Sequence, residues 1–196
     1  MKKLSTSLAI IVLIFSLFFP AAGYANSDFP QLREAPWPTS SKPENSAQVK
    51  FVLLKLTLPV EYVKSIDIFN FDAPAICLAS QDEKKNLFIF LQDENDGYKE
   101  LYDKAGASNI YQFFKQLGNL DIANGTMRKI RKIYGLDQAT AFIHYKKDQL
   151  DAYHIQSKDT EQSELFILIA DTPHIYKFNG HITNEVVNQL LAHINL

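Results

Sequence analysis

The chain has 196 residues, 46% of them hydrophobic, with a single cysteine and a formal charge of −2. That near-neutral balance excludes the strongly basic footprint of a nucleic-acid binder, and one cysteine cannot close an internal disulfide, so a folded domain here must be held by its core. With 14 Phe and 9 Tyr such a core can be large, and a single domain is the expected count.

Residues 1–25 read as a signal peptide. Lys2 and Lys3 give a positive start, Leu8 to Phe19 an apolar run closed by Pro20, and Gly23-Tyr24-Ala25 puts small residues where a signal peptidase reads, so cleavage is expected after Ala25. The apolar run is shorter than the about 20 residues of a membrane span. The mature chain would keep 18 of the 20 basic residues against 22 acidic ones, a net −4, and would carry no transmembrane span. A periplasmic or secreted protein, in the envelope of a diderm bacterium, is expected. Cys77 lies far from the cleavage point, which excludes a lipid-modified cysteine there, and within Ala75-Ile76-Cys77-Leu78 it reads as a small buried residue.

Residues 26–48 interleave Pro30, Pro36, Pro38 and Pro43 with Ser, Thr, Asn and Glu, the composition of a disordered or polyproline-like linker. Phe29, Leu32 and Trp37 stand out in it. They either drape back onto the domain or form a short motif for a partner.

The folded domain is expected over residues 49–196. Val49–Leu58 reads as one strand ended by Pro59, and Ser65–Phe71 as a second, followed by a turn at Asp72-Ala73-Pro74. Ala75–Ser80 and Asn86–Leu91 read as a hairpin. Helical spacing follows: Tyr98, Leu101, Tyr102 and Ala105, then Ile110, Phe113, Phe114 and Leu117 up to Gly118. A further helix over Thr126–Tyr134 directs Met127, Ile130, Ile133 and Tyr134 inward and leaves Arg128, Arg131 and Lys132 on its solvated side. Strands return at Thr140–Tyr145 and Leu150–Ile155, joined by a Lys146–Gln149 turn. The unbroken apolar run Leu165–Ala170 suits a central strand covered on both faces; Asp171-Thr172-Pro173 turns the chain, and His174–Phe178 alternates again. Thr183 can cap a last helix with Val186, Val187, Leu190, Leu191 and Ile194 as its apolar stripe. The expected core anchors are Phe88, Phe90, Phe113, Ile167, Ile169, Leu190 and Ile194.

Strands in runs, joined by short turns, imply an α+β fold: a mostly antiparallel sheet of about seven or eight strands with two or three helices packed on it and a helix at the C-terminal end. In element order, with a first strand ending at Pro59 and a final helix after Thr183, the chain resembles the exported α/β/α sandwiches of the PsbP and Mog1 type. That resemblance implies a fold and no activity.

Five histidines are the place to look for a metal. His144 and His154 lie on adjacent expected strands, and Asp151 can sit opposite His144 if the turn is Lys147-Asp148; such a His/Asp set would suit zinc and a metal-dependent hydrolase. A register slip of one residue separates them. The Asp93–Gly97 stretch fails as a calcium loop, with Gly97 at the fifth place and Lys104 at the twelfth, and reads as a turn before a helix. The basic group Arg128, Arg131 and Lys132 could touch an anionic partner or be a solvated helix face. Thr172-Pro173 after an apolar strand resembles the Pro loop of thioredoxins, but there is no C-x-x-C. Nor is there a G-x-S-x-G, an S-x-x-K or a glycine-rich phosphate loop. The expectation is a binding or accessory domain for an envelope protein or small ligand, without a cofactor; the alternative is a hydrolase using His144, Asp151 and His154.

Overall fold

The computed structural model describes residues 29–70, 73–122 and 124–196. Residues 1–28, which include the expected signal peptide, and Phe71, Asp72 and Ala123 lie outside the described residues. Those described form eleven strands, β1 (Leu32–Ala35), β2 (Ser46–Phe51), β3 (Leu54–Pro59), β4 (Ser65–Asn70), β5 (Pro74–Ala79), β6 (Leu87–Asp93), β7 (Ala139–Lys147), β8 (Leu150–Ser157), β9 (Glu164–Ile169), β10 (His174–Gly180) and β11 (Ile194–Asn195). Four α-helices accompany them, α1 (Lys99–Ala105), α2 (Ile110–Leu117), α3 (Gly125–Ile133) and α4 (Asn184–Ala192). Asn109, Asn124 and Thr183 cap α2, α3 and α4, each accepting a hydrogen bond from a backbone N–H three residues on. The fold is α+β. Among the described residues no helix is long and apolar enough to cross a membrane.

Eight strands make one sheet in the order β1-β7-β8-β9-β10-β6-β5-β4, antiparallel except for β1, which runs parallel to β7. Strand alternation gives this sheet two faces, each with its own core. On one, Phe142, Tyr153, Ile155, Phe166, Leu168 and Ile175 meet Phe113, Phe114, Met127 and Ile130 of α2 and α3. On the other, Ile143, Ala152, Leu165, Ile167, Tyr176 and Phe178 meet Val187, Leu190 and Leu191 of α4 together with a small sheet ordered β11-β3-β2. The molecule is therefore layered as helices, sheet, and a mixed layer of one helix and three short strands. In β9 all residues from Leu165 to Ile169 are buried, because both faces are covered.

Several expectations are corrected. The single strand over Val49–Leu58 is a hairpin of β2 and β3, with Phe51 paired to Leu54 and only Val52 and Leu53 between them. Val52 sits at φ 56, a conformation that costs a β-branched residue about 1–2 kcal/mol, and no Gly or Asn marks the turn. The final helix stops at Ala192, and Ile194 pairs with Leu56 instead of extending the apolar stripe. Phe88 and Phe90 are not core anchors: Leu87 and Ile89 point into the α4-side core, which turns Phe88 and Phe90 to the opposite face, where they are half-buried. Phe113, Ile167, Ile169, Leu190 and Ile194 are buried.

The proline-rich stretch is not held off as a linker. Leu32–Ala35 adds β1 to the sheet, with Leu32 opposite Phe142. Phe29 is buried in the helix-side core, and Trp37 packs on the α4-side core, where its indole N–H donates to the Leu191 carbonyl at 2.8 Å. Gly118 makes this passage possible. A Cβ there would lie 2.2 Å from Leu32 Cβ, and the Gly118 carbonyl accepts from the Leu32 N–H at 3.2 Å.

Candidate functional site

The expected His/Asp set is only partly assembled. The β7–β8 loop is Asp148-Gln149, since Lys147 pairs with Leu150, so His144 faces Tyr153 and Asp151 faces Lys146. His144 and Asp151 still share a face as diagonal neighbours. His144 Nε2 donates to Asp151 Oδ1 at 2.6 Å, its Nδ1 lies 2.7 Å from Glu34 Oε2, and its ring stacks on Tyr153 at 4.4 Å between centroids. Lys146 Nζ reaches Asp151 Oδ2 at 3.2 Å. Burial works against a charged His144 ring, but the Asp151 and Glu34 carboxylates outweigh it and raise its pKa above the ordinary 6.5. Burial likewise opposes the Asp151 charge, and the bonds from His144 and Lys146 outweigh it, holding that carboxyl below its ordinary value. The carboxylates beside its two nitrogens favour the protonated ring, and a protonated imidazole offers no lone pair to a metal.

His154 is not part of this group. It pairs with Ile143 and Leu165 and faces the α4 layer, fully buried, and neither ring nitrogen has a hydrogen-bond partner among the described residues. Burial, with a smaller contribution from Arg33, pushes its pKa down to about 4, so the ring is neutral. Among the described residues no group of three His, Cys, Asp or Glu side chains could hold a metal ion. Glu34 is the member that sequence reasoning missed, because it belongs to the stretch taken for a linker.

The basic group on α3 also splits. Arg128 and Lys132 are exposed, whereas Arg131 is 1% exposed and Ile133 is 69% exposed, the reverse of the expected arrangement. The inward positions are Met127, Ile130, Arg131 and Tyr134. Arg131 donates from Nε to the Leu117 carbonyl at 2.8 Å, from Nη1 to Ile122 at 3.1 Å, and from Nη2 to Gln116 at 3.3 Å and to Asn119. Its guanidinium also lies over the Phe29 ring, 5.7 Å from the centroid. A cation placed on the carbonyls at and just beyond the C-terminal end of α2 complements the helix dipole, so Arg131 is a structural strut. Phe29, Leu32 and Trp37 are likewise committed to packing within this chain.

An open edge remains. β4 is the last strand of the large sheet, and its outer side pairs with no strand among the described residues. Ile66 and Ile68 face the α4 side, opposite Leu78 and Ile76, and are 44% and 80% exposed. On the other face the register lines up Phe69, Ala75, Phe90 and Lys177, and beside them Asp67, Cys77, Phe88 and Asn179. Phe88 and Phe90 belong to neither core among the described residues, although Ala75 and Cys77 beside them are buried. The thiol of Cys77, raised in pKa by burial and by Asp67, fills space there as expected of a small buried residue. This outermost strand carries apolar side chains on both faces and neither Pro nor Lys within its length. No protein-family model and no curated protein matches this chain.

Proposed function

We propose that this chain is an exported accessory or binding domain of the bacterial envelope that acts by contact with a protein partner, without catalysis. The observation that supports it most is the β4 edge: the outermost strand of the large sheet, with Ile66 and Ile68 in solvent and a phenylalanine-bearing sheet face beside them. Such an edge takes an extended apolar segment by strand addition, with main-chain hydrogen bonds supplying affinity and alternate side chains supplying selectivity. The signal-like residues 1–25 support export. The hydrolase alternative loses its support because His154 faces away from His144 and Asp151, and because the His144 ring is enclosed by carboxylates.

The test is capture from an envelope extract by the wild type, by Ile68→Lys and by Lys84→Ala, an exposed control away from the edge. The partner should be retained by the wild type and by Lys84→Ala and lost by Ile68→Lys, whose melting temperature should be unchanged because Ile68 is 80% exposed. A partner held equally by Ile68→Lys would remove the edge from the account. Stoichiometric zinc in purified protein, lost on His144→Ala, would restore the hydrolase.

A further inference from the structure

We infer that the groove between residues 35–40 and α4 is a binding site for a neutral polyhydroxylated ligand, a saccharide of one or two units. The groove has a volume of about 780 Å³, within the range of small-molecule sites. It is a site independent of the β4 edge, on the opposite side of the large sheet's strand order. Its wall and floor come from Trp37 and Thr39 on the N-terminal segment, Tyr145 on β7, and Glu185, Asn188 and Gln189 on α4.

Charge selects the ligand class. No lysine or arginine lines the groove, and Arg33, though near enough to act on Tyr145, is outside the lining, so a phosphate or carboxylate would find no direct cation partner there; Glu185 is the one lining carboxylate, too little for a polyamine. What remains is hydrogen-bonding capacity of both kinds. Asn188 and Thr39 offer donors, Glu185 and Gln189 offer acceptors, and burial raises the Tyr145 pKa, so that its phenol stays an O–H near neutral pH. Gln189 is half-buried, and its side-chain oxygen, turned inward, has no hydrogen-bond partner among the described residues. An acceptor left without a partner gains one when the Gln189 amide turns toward a ligand hydroxyl.

The aromatic component fits the same class. The hydrogen bond from Trp37 to the Leu191 carbonyl fixes the indole against α4, and the ring remains only partly buried where it borders the groove. A rigid aromatic face beside amides and a carboxylate suits the mixed surface of a sugar, whose C–H face is apolar and whose hydroxyls accept and donate. Pro36 and Pro38 hold this wall with few rotatable bonds, which reduces the ordering cost of binding.

Trp37 is the only tryptophan, so its emission reports on the groove directly. The full chain would be titrated with glucose, maltose, sucrose and N,N′-diacetylchitobiose, and with inorganic phosphate and spermidine as charged probes. At least one saccharide should give a saturable change with a Kd of about 1 mM or tighter, and the double variant Asn188→Ala, Gln189→Leu should weaken it by about tenfold or more. Asn188 is exposed and Gln189→Leu removes the unpartnered oxygen, so that variant should melt within a few degrees of wild type; each single variant is measured as well. No saturation by any of the four saccharides up to about 50 mM would overturn the inference, as would tighter binding of phosphate or spermidine, or saccharide binding that the variants leave unchanged.

Discussion

His144 and His154 are near neighbours in the sheet, on opposite faces, and they titrate in opposite directions. His144 has a folded pKa raised above 6.5, so its contribution to stability is complete below 6.5 and is lost as pH rises through the folded value. His154 has a folded pKa of about 4, so the unfolded chain takes up a proton that the folded one refuses, and stability falls as pH drops from 6.5 toward 4. The full effect of the second is about 3 kcal/mol. Urea melts from pH 4 to 9 should therefore show His154→Leu flattening the acid limb and His144→Gln flattening the decline above pH 6.5. An acid limb unchanged in His154→Leu would mean that this ring is solvated. Sequence made both histidines visible but not their opposition, because a face assignment needs the loop length to within one residue. Arg131 was hidden in the same way: a charged residue at an inward helix position reads as a phase error until the carbonyls of Leu117, Gln116, Asn119 and Ile122 are seen around it. Arg131→Ala takes the guanidinium donors from the Leu117 and Ile122 carbonyls and should cost about 2–4 kcal/mol in denaturant melts, while Lys132→Ala, at an exposed position of the same helix, should cost under about 0.5.

At the scale of elements, periodicity carried most of the reading. The run Leu165–Ala170, the Thr183 cap and the stripe of Ile110, Phe113, Phe114 and Leu117 each have a strong period, and each appears as β9, α4 and α2. What failed were elements without one. β1 has four residues in a proline-rich stretch and depends on β7, over a hundred residues away, for its pairing. The β2–β3 hairpin lacks a turn residue, and its alternation continues through Val52 as if the strand did. In β6 the alternation was seen, but its two faces were exchanged: phenylalanines suggest a core, and here the smaller Leu87 and Ile89 occupy it. Ile89→Ala should thus cost about 2–5 kcal/mol and Phe88→Ser under about 1.5, measured by chemical denaturation. A chain begun at Ser46 loses Phe29, Leu32 and Trp37 from the two cores and should melt several degrees lower, as should Gly118→Ala, whose new methyl group collides with Leu32.

For the whole molecule, the α+β class and the C-terminal helix were legible because strands came in runs. The layering was not. Nothing in the order of elements says that β2, β3 and β11 leave the main sheet and join α4 in covering it, since that depends on which apolar face is left over after the strands pair. The large sheet is shared by both cores, with Phe166 turned to the helices and Ile167 to α4. Phe166→Ala and Ile167→Ala should accordingly shift one and the same unfolding transition, seen equally by circular dichroism and by Trp37 emission; two separated transitions would mean that the layers unfold independently.

The seating of Trp37 against Leu191 has a consequence for the order of assembly. These residues are 154 positions apart, and β1 can pair only once β7 exists. During synthesis, residues 32–37 emerge before β7 and α4 and find their place after them. This segment must wait, proline-rich and polar, for the C-terminal helix to arrive, and such long sequence separation makes closure slow. The same composition that reads as unstructured keeps that segment from pairing elsewhere in the interval, and its docking is the event that completes both cores.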